Sequence, residues 1–214
     1  GEPQVIRLGL CCAFQNEPIK FPTTTVAALT RRPRPEQLAR LSEICLANAD
    51  ALLAALTFCS QSGIGCFRVN SQIYHPVFGY EIENLPDGDE IVRRFQICGQ
   101  FASDHGIRTC FLPDQFVVLN SPRPDVLSAS VRELEYQAEV AEWIGADVIN
   151  IHGGGAYGDK AAALSRLARN FERLSSRVQQ RLTLENDDRT YSPTDLLPVC
   201  RGIGVPLVYD VHHH

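Results

Sequence analysis

The sequence predicts an α/β fold built from parallel strands, and three observations carry that expectation. Six short β-branched or aliphatic segments alternate with helical patterns, glycines close the helices, and polar residues gather where the strand segments end.

The six segments are VIRLGLC (5–11), GCFRVNS (65–71), IRTCFLP (107–113), DVINIHG (147–153), RLTLEND (181–187) and PLVYDVH (206–212). They read as near-continuous apolar runs, the pattern of strands buried on both faces. Between them, Leu38, Leu41, Cys45, Ala49, Leu52 and Leu56 repeat at helical spacing. So do Leu127, Val131, Leu134, Ala138 and Ala141, and then Leu164, Leu167, Phe171 and Leu174. SGIG, HGI, IGA and RGIGV supply a left-handed glycine before the next strand, and RPRPEQ, SPRPDV and YSPTDL open helices with proline.

Alternation with short returns implies parallel strands and right-handed crossovers. Five of the six strand ends are polar: Asn70 and Ser71, Asp114 and Gln115, His152, Glu185 to Asp188, and Asp210 to His214. A doubly wound sheet concentrates its ligands at one switch point, whereas a barrel draws on every strand at its mouth. The expectation is a (β/α)8 TIM barrel, a single domain over 1–214 truncated after about six βα units. Strands seven and eight are then missing, and Gly1 reads as a protease-site scar.

With 44% hydrophobic residues in 214, the chain can bury a sizeable core. A net charge of −5 argues against a general nucleic-acid coat but leaves room for a basic groove on an acidic body. No uninterrupted apolar run reaches membrane-spanning length and no signal-peptide pattern opens the chain, so a soluble, cytoplasmic protein with no membrane partner is expected. None of the eight cysteines stands in a C-x-x-C pair, which fits a reducing compartment and no disulfide framework.

The chemistry concentrates at the strand ends. In INIHGGGAYGDK a strand delivers His152, and the three glycines after it let backbone and ligand approach closely. The spacing is not that of a nucleotide P-loop, so no nucleotide cofactor is expected. Glu185 ends the next strand and Asp210 the last, followed by His212, His213 and His214, while His75 follows the second strand. Imidazoles and carboxylates at one barrel mouth suit a borderline divalent metal such as Mn, Zn or Fe. The histidine triplet also fits a purification-tag remnant, and Asp187 and Asp188 a solvated loop. Gln115 beside Phe116 could hydrogen-bond and stack on an exposed base. Arg123, Lys160 and Arg189 could meet phosphates.

Taken together, IRLGLCC, FRVNSQI with its following HP, PDQFVVLNSPR, IHGGGAYGDK, LENDD and VYDVHHH resemble the UV damage endonuclease family over about residues 5 to 214. The resemblance implies a metal-dependent barrel of the xylose-isomerase-like superfamily that incises damaged double-stranded DNA. Incision falls 5′ to cyclobutane dimers and 6-4 photoproducts, and extends to abasic sites. It also implies a multi-metal cluster, with Mn2+ first and Zn2+ as another occupant, held by His75, His152, Glu185, Asp210 and His213. Glu185, His152 and Lys160 are then the catalytic candidates, and Gln115, Phe116, Arg123 and Tyr157 the DNA- and lesion-binding ones. Two departures stand out. Leu112 replaces a histidine expected to bridge metals, and the loop before His75 is short. Further family ligands on strands seven and eight would lie beyond His214. A metal-dependent sugar isomerase or epimerase shares the barrel, and a lesion-binding protein that does not incise fits Leu112.

Overall fold

A computed structural model describes residues 6–11, 13–70 and 79–213; His75, Ser71, Cys12 and His214 lie outside the described residues. Contacts gather the chain into two compact units, Gly1–Cys110 with Val140–Ala146, and Phe111–Glu139 with Asp147–His214.

In the first unit, β1 (Gly9–Leu10) pairs in parallel with β2 (Cys66–Val69), Gly9 opposite Cys66 and Leu10 opposite Phe67. A short α1 (Val26–Thr30) and the long α2 (Arg34–Gln61) connect them. After a 3-10 turn at Ile82–Asn84, α3 (Gly88–Asp104) leads to β3 (Arg108–Phe111). The apolar stripe of α2, with Leu41, Cys45, Leu52, Leu56 and Cys59, is buried with Phe67 of β2 and with Ile91 and Phe95 of α3. Each such side chain, fully buried, contributes about 1.5–3 kcal/mol. By length and composition α2 could also cross a membrane, with a mean hydropathy of 1.4 in its most apolar stretch. Half of that stretch is buried inside the protein, as in the core helix of a globular unit.

The second unit holds most of α4 (Pro124–Ile144), then β4 (Val148–His152), α5 (Lys160–Phe171), α6 (Ser176–Gln179), β5 (Leu182–Glu185), α7 (Pro193–Ile203) and β6 (Leu207–Val208). β4, β5 and β6 pair in parallel in that order. The expected β–α alternation is therefore present, and so are the proline starts of α2, α4 and α7.

Four helices end alike. Gly63, Gly106, Gly145 and Gly204 have φ of 65–73°. In each case the next residue's N–H bonds five residues back: Ile64 to Cys59, Ile107 to Ala102, Ala146 to Ala141 and Val205 to Cys200. That is the Schellman closure, and it turns the chain sharply into the following strand.

Two expectations need correction. The strands are 2–5 residues long, shorter than the seven-residue apolar segments. Ile6 and Leu8 are 98% and 69% exposed, so hydrophobicity overstated β1; a ladder needs a partner as well as apolar side chains. Nor is β4 apolar throughout. Ile149 and Ile151 are buried on one face, while Asn150 and His152 occupy the other.

The described cysteines carry free thiols. Burial pushes those of Cys45 and Cys98 up to about 12 and that of Cys59 to about 11, so they stay protonated and act as small apolar side chains.

Gly99 on α3 meets the backbone of Ile144, where an added Cβ would lie 2.7 Å from the carbonyl carbon. Gly99→Ala should therefore destabilise by about 1–3 kcal/mol in urea denaturation, although alanine favours a helix by about 1 kcal/mol. A gain in stability would disprove the close approach.

Glu90 accepts hydrogen bonds from Arg93 Nε at 2.7 Å and Arg94 Nε at 2.8 Å, and Arg94 reaches Asp50 of α2 at 3.1 Å. Arg93 and then Arg94 hold the Glu90 carboxyl down at about 2. Its contribution is whole above the unfolded value of about 4.3 and is lost as pH falls toward the folded one. Glu90→Gln should flatten part of the acid decline in stability; parallel wild-type and variant curves over that range would refute the assignment.

Candidate active site

The second unit carries its chemistry on the face that β4 and β5 turn away from their apolar residues. Their register sets His152 opposite Glu185 and Asn150 opposite Thr183. Partners in a parallel ladder point to the same face, so four polar side chains stand together in two rows. Thr183 Oγ1 donates to Asn150 Oδ1 at 2.7 Å, and Asn150 Nδ2 donates to Glu185 Oε2. Asn150 thus accepts a hydrogen bond from Thr183 and fixes which way Glu185 faces.

The end of β6 is tied to β5 by a second amide. Asn186 Nδ2 donates to the Asp210 carbonyl at 3.0 Å, and the Asp210 N–H donates to Asn186 Oδ1 at 2.8 Å. The Asp210 carboxylate stays available. It accepts from the His212 N–H at 2.8 Å, lies 3.5 Å from His213 Nε2 and stands beside Glu185. The His152 and His213 rings are 6.4 Å apart. Of the terminal histidines, His213 therefore joins the cluster, and the exposed His212 contributes its backbone.

Burial first, and then the hydrogen bond to Asp210, push the Glu185 carboxyl above the usual range, against His152 and Asn150. The His212 backbone N–H first, and then Glu185, hold Asp210 below it. The two carboxyls are thus driven in opposite directions, Glu185 toward its neutral form and Asp210 toward its ionised one.

Two imidazoles and two carboxylates match a borderline divalent cation in donor type. Glu185 lies beside Asp210, and a cation there would offset the repulsion between the two carboxyls when both are ionised. As placed, the side chains bond to one another. Among the described residues, no three His, Cys, Asp or Glu side chains are arranged to hold one ion.

Beside this cluster a cleft of about 650 Å³ is lined by Gln115, Phe116, His152, Tyr157, Arg189 and His213, among others. Asp114 Oδ1 accepts from the Phe116 N–H at 3.0 Å, a tight turn that leaves Phe116 74% exposed. Asp187 is not a solvated loop residue. Its carboxylate accepts from the N–H groups of Arg189, Thr190 and Tyr191, so it shapes the loop that carries Arg189, while Asp188 stays exposed.

The three glycines after His152 have a packing reason. A Cβ on Gly153 would lie 2.8 Å from the buried Tyr191 ring, and one on Gly154 would lie 2.1 Å from Asn120 Oδ1. Gly155 carbonyl accepts from Asn120 Nδ2 at 2.8 Å and from the Tyr191 hydroxyl at 2.9 Å. Arg166 Nε in turn donates to the Asn120 carbonyl at 2.6 Å. Tyr157 follows with φ +49°, the one non-glycine in the left-handed region among the described residues. Such a conformation costs about 1–3 kcal/mol.

Of the expected site residues, His152, Glu185, Asp210 and His213 come together, and Gln115, Phe116 and Tyr157 share the cleft. Lys160 and Arg123 do not border it. Lys160 Nζ pairs with Asp195 at 3.4 Å, and Arg123 with Asp125 at 2.6 Å. Leu112 is half-buried just after β3. Asn120, Asn150, Asn186 and Tyr191 escaped the sequence reading. For Asn150 and Asn186 an amide inside an apolar segment was the available signal, since a buried amide needs partners.

An α/β chain with parallel strands and an acid–imidazole face at their C-terminal ends is the architecture of TIM-barrel enzymes. The model of the UV-endonuclease UvdE family matches residues 6–214, and the chain belongs to that family. The UV-damage endonuclease of Neurospora crassa is 38% identical over 81% of this chain and 27% of its own length. The UV DNA damage endonuclease of Bacillus velezensis is 33% identical over 94% of this chain and 63% of its own. This chain therefore spans less than two thirds of either relative. The crystal structure of SacUVDE superimposes with a TM-score of 0.86 at 28% identity, over 98% of this chain and 71% of that one. A D-psicose 3-epimerase, at 15% identity and TM-score 0.55 over 75% of this chain and 58% of that one, shares the fold alone.

With metals chelated, the raised Glu185 value makes its contribution to stability present below the unfolded carboxylate value and lost as pH rises through the folded one. Glu185→Gln, which mimics the protonated acid, should then melt above wild type by a margin that widens with rising pH. A constant margin would show that the Glu185 carboxyl is not raised above the usual range.

Proposed function

We propose that this chain is a DNA-damage endonuclease whose phosphodiester chemistry is held by the second unit. The observation that carries the reading is the cluster of His152, Glu185, Asp210 and His213 beside a cleft bearing an exposed Phe116 next to Gln115. In a family of UV endonucleases, carboxylates and imidazoles beside an exposed aromatic ring and an amide support that reading.

His152, Glu185, Asp210 and His213 would hold divalent cations, manganese first, with His75 joining them by resemblance. Bound there, the metal would supply charge neutralisation at the phosphate and acidify a water. Asn150 keeps the Glu185 carboxyl oriented, and Asn186 holds the strand end that presents Asp210. Phe116 and Gln115 would enter the duplex where stacking is already weakened, since a damaged base takes less energy to extrude. Arg189 borders the cleft as a cation for the backbone phosphate. Lys160 would act only once it leaves Asp195, and Arg123 once it leaves Asp125. The substrates would be duplexes carrying cyclobutane dimers, 6-4 photoproducts or abasic sites, cut on the 5′ side.

Leu112 favours a second reading, damage binding without incision, because leucine cannot coordinate a metal. Metal content after dialysis against manganese, with incision of ultraviolet-irradiated duplex, separates the two. Wild type should retain about two ions per chain, lose them on His152→Ala, and cut the irradiated strand. Less than one ion and no incision, with damage-specific binding intact, would establish the binder; Leu112→His should then raise metal content. Loss of all preference for irradiated DNA would overturn both readings.

A further inference from the structure

Tyr157 is the strained residue in this unit, and burial does not explain it, because its side chain remains 49% exposed on the cleft. Gly158, the next residue, already supplies a turn at φ +83°. Glycine at 157 would adopt the same backbone freely, so the ring is kept against local preference. It is also held firmly. A Cβ on Gly155 would stand 3.1 Å from the Tyr157 ring, and the Arg166 guanidinium lies 5.7 Å from the ring centre. Asn120 ties these parts together, since its side chain bonds the Gly155 carbonyl and its own carbonyl accepts from Arg166. Asn120 is fully buried, and its Oδ1 has no hydrogen-bond partner; that atom faces Gly154, where a Cβ would collide with it.

We propose that Tyr157 is a preset stacking platform for a planar nucleobase everted from the duplex, on the same cleft as Phe116, and that Asn120 is its positioning residue. The inference deepens the DNA-damage reading and rests on it. A ring fixed in advance loses no freedom on binding, and stacking accepts any base, which suits recognition of damage rather than of sequence. The chemistry selects a flat aromatic face. A cyclobutane-linked pyrimidine has lost that flatness at its saturated carbons, so the platform takes an intact base freed from pairing.

The test is fluorescence anisotropy with a labelled duplex carrying one tetrahydrofuran abasic analogue, against the intact duplex, alongside thermal melting of each variant. Tyr157→Gly should keep or raise the melting temperature, because it relieves the backbone, yet weaken preference for the damaged duplex on the order of 10-fold. Tyr157→Phe should retain the preference. A structural role would lower melting and binding together. Asn120→Ala should weaken the preference in wild type and add nothing in Tyr157→Gly. Should Asn120→Ala fail to fold, Tyr191→Phe, which removes the hydroxyl that bonds the Gly155 carbonyl and accepts from Asn120 Nδ2, replaces it in the same cycle. Unchanged preference in Tyr157→Gly overturns the platform while leaving the endonuclease reading standing. Additive effects overturn the positioning role. No preference in wild type overturns the reading and the platform together.

Discussion

Everything chemical in the second unit depends on the parallel register that sets His152 against Glu185. Because side chains alternate along a strand, this pairing also sets Asn150 against Thr183 on the same face and leaves Ile149, Ile151, Leu182 and Leu184 buried on the other. A slip by one residue would exchange the two faces, burying an imidazole and exposing leucine. The apolar face therefore holds the polar face in register, and the core specifies the site without touching it.

Much of this was legible in the sequence because its causes are local. Helix ends marked by glycine and starts marked by proline depend on one or two residues, and every such mark met its element. His152, Glu185, Asp210 and His213 were readable because each sits at or just past an apolar segment whose end could be counted. The amides were not readable as site residues, because their partners are remote in the chain: Asn150 meets Thr183 across 33 positions, and Asn120 meets Tyr191 across 71. Strand lengths were overstated for a related reason. Composition reports what a residue prefers, whereas a ladder also needs the neighbouring strand, and Ile6 and Leu8 are exposed. Asp187 looked like surface charge because an aspartate that organises three backbone N–H groups has the same composition as one that organises none.

Family membership and the acid–imidazole cluster point the same way, and Leu112 points partly against them. Thr183 bonds Asn150 and Asn150 bonds Glu185, which lies beside Asp210. Side chains already oriented in this way lose little freedom on meeting a ligand.

The reciprocal bonds between Asn186 and Asp210 have a consequence for how such a site can change over generations. Asn186 grips the main chain at position 210 and ignores the carboxylate. The strand end is therefore insulated from the identity of the residue it displays. A lineage could exchange that side chain, and with it the charge at the strand end, while the backbone scaffold stays in place. Altered chemistry on an unaltered frame is then accessible by single substitutions, which makes this corner of the fold unusually open to diversification.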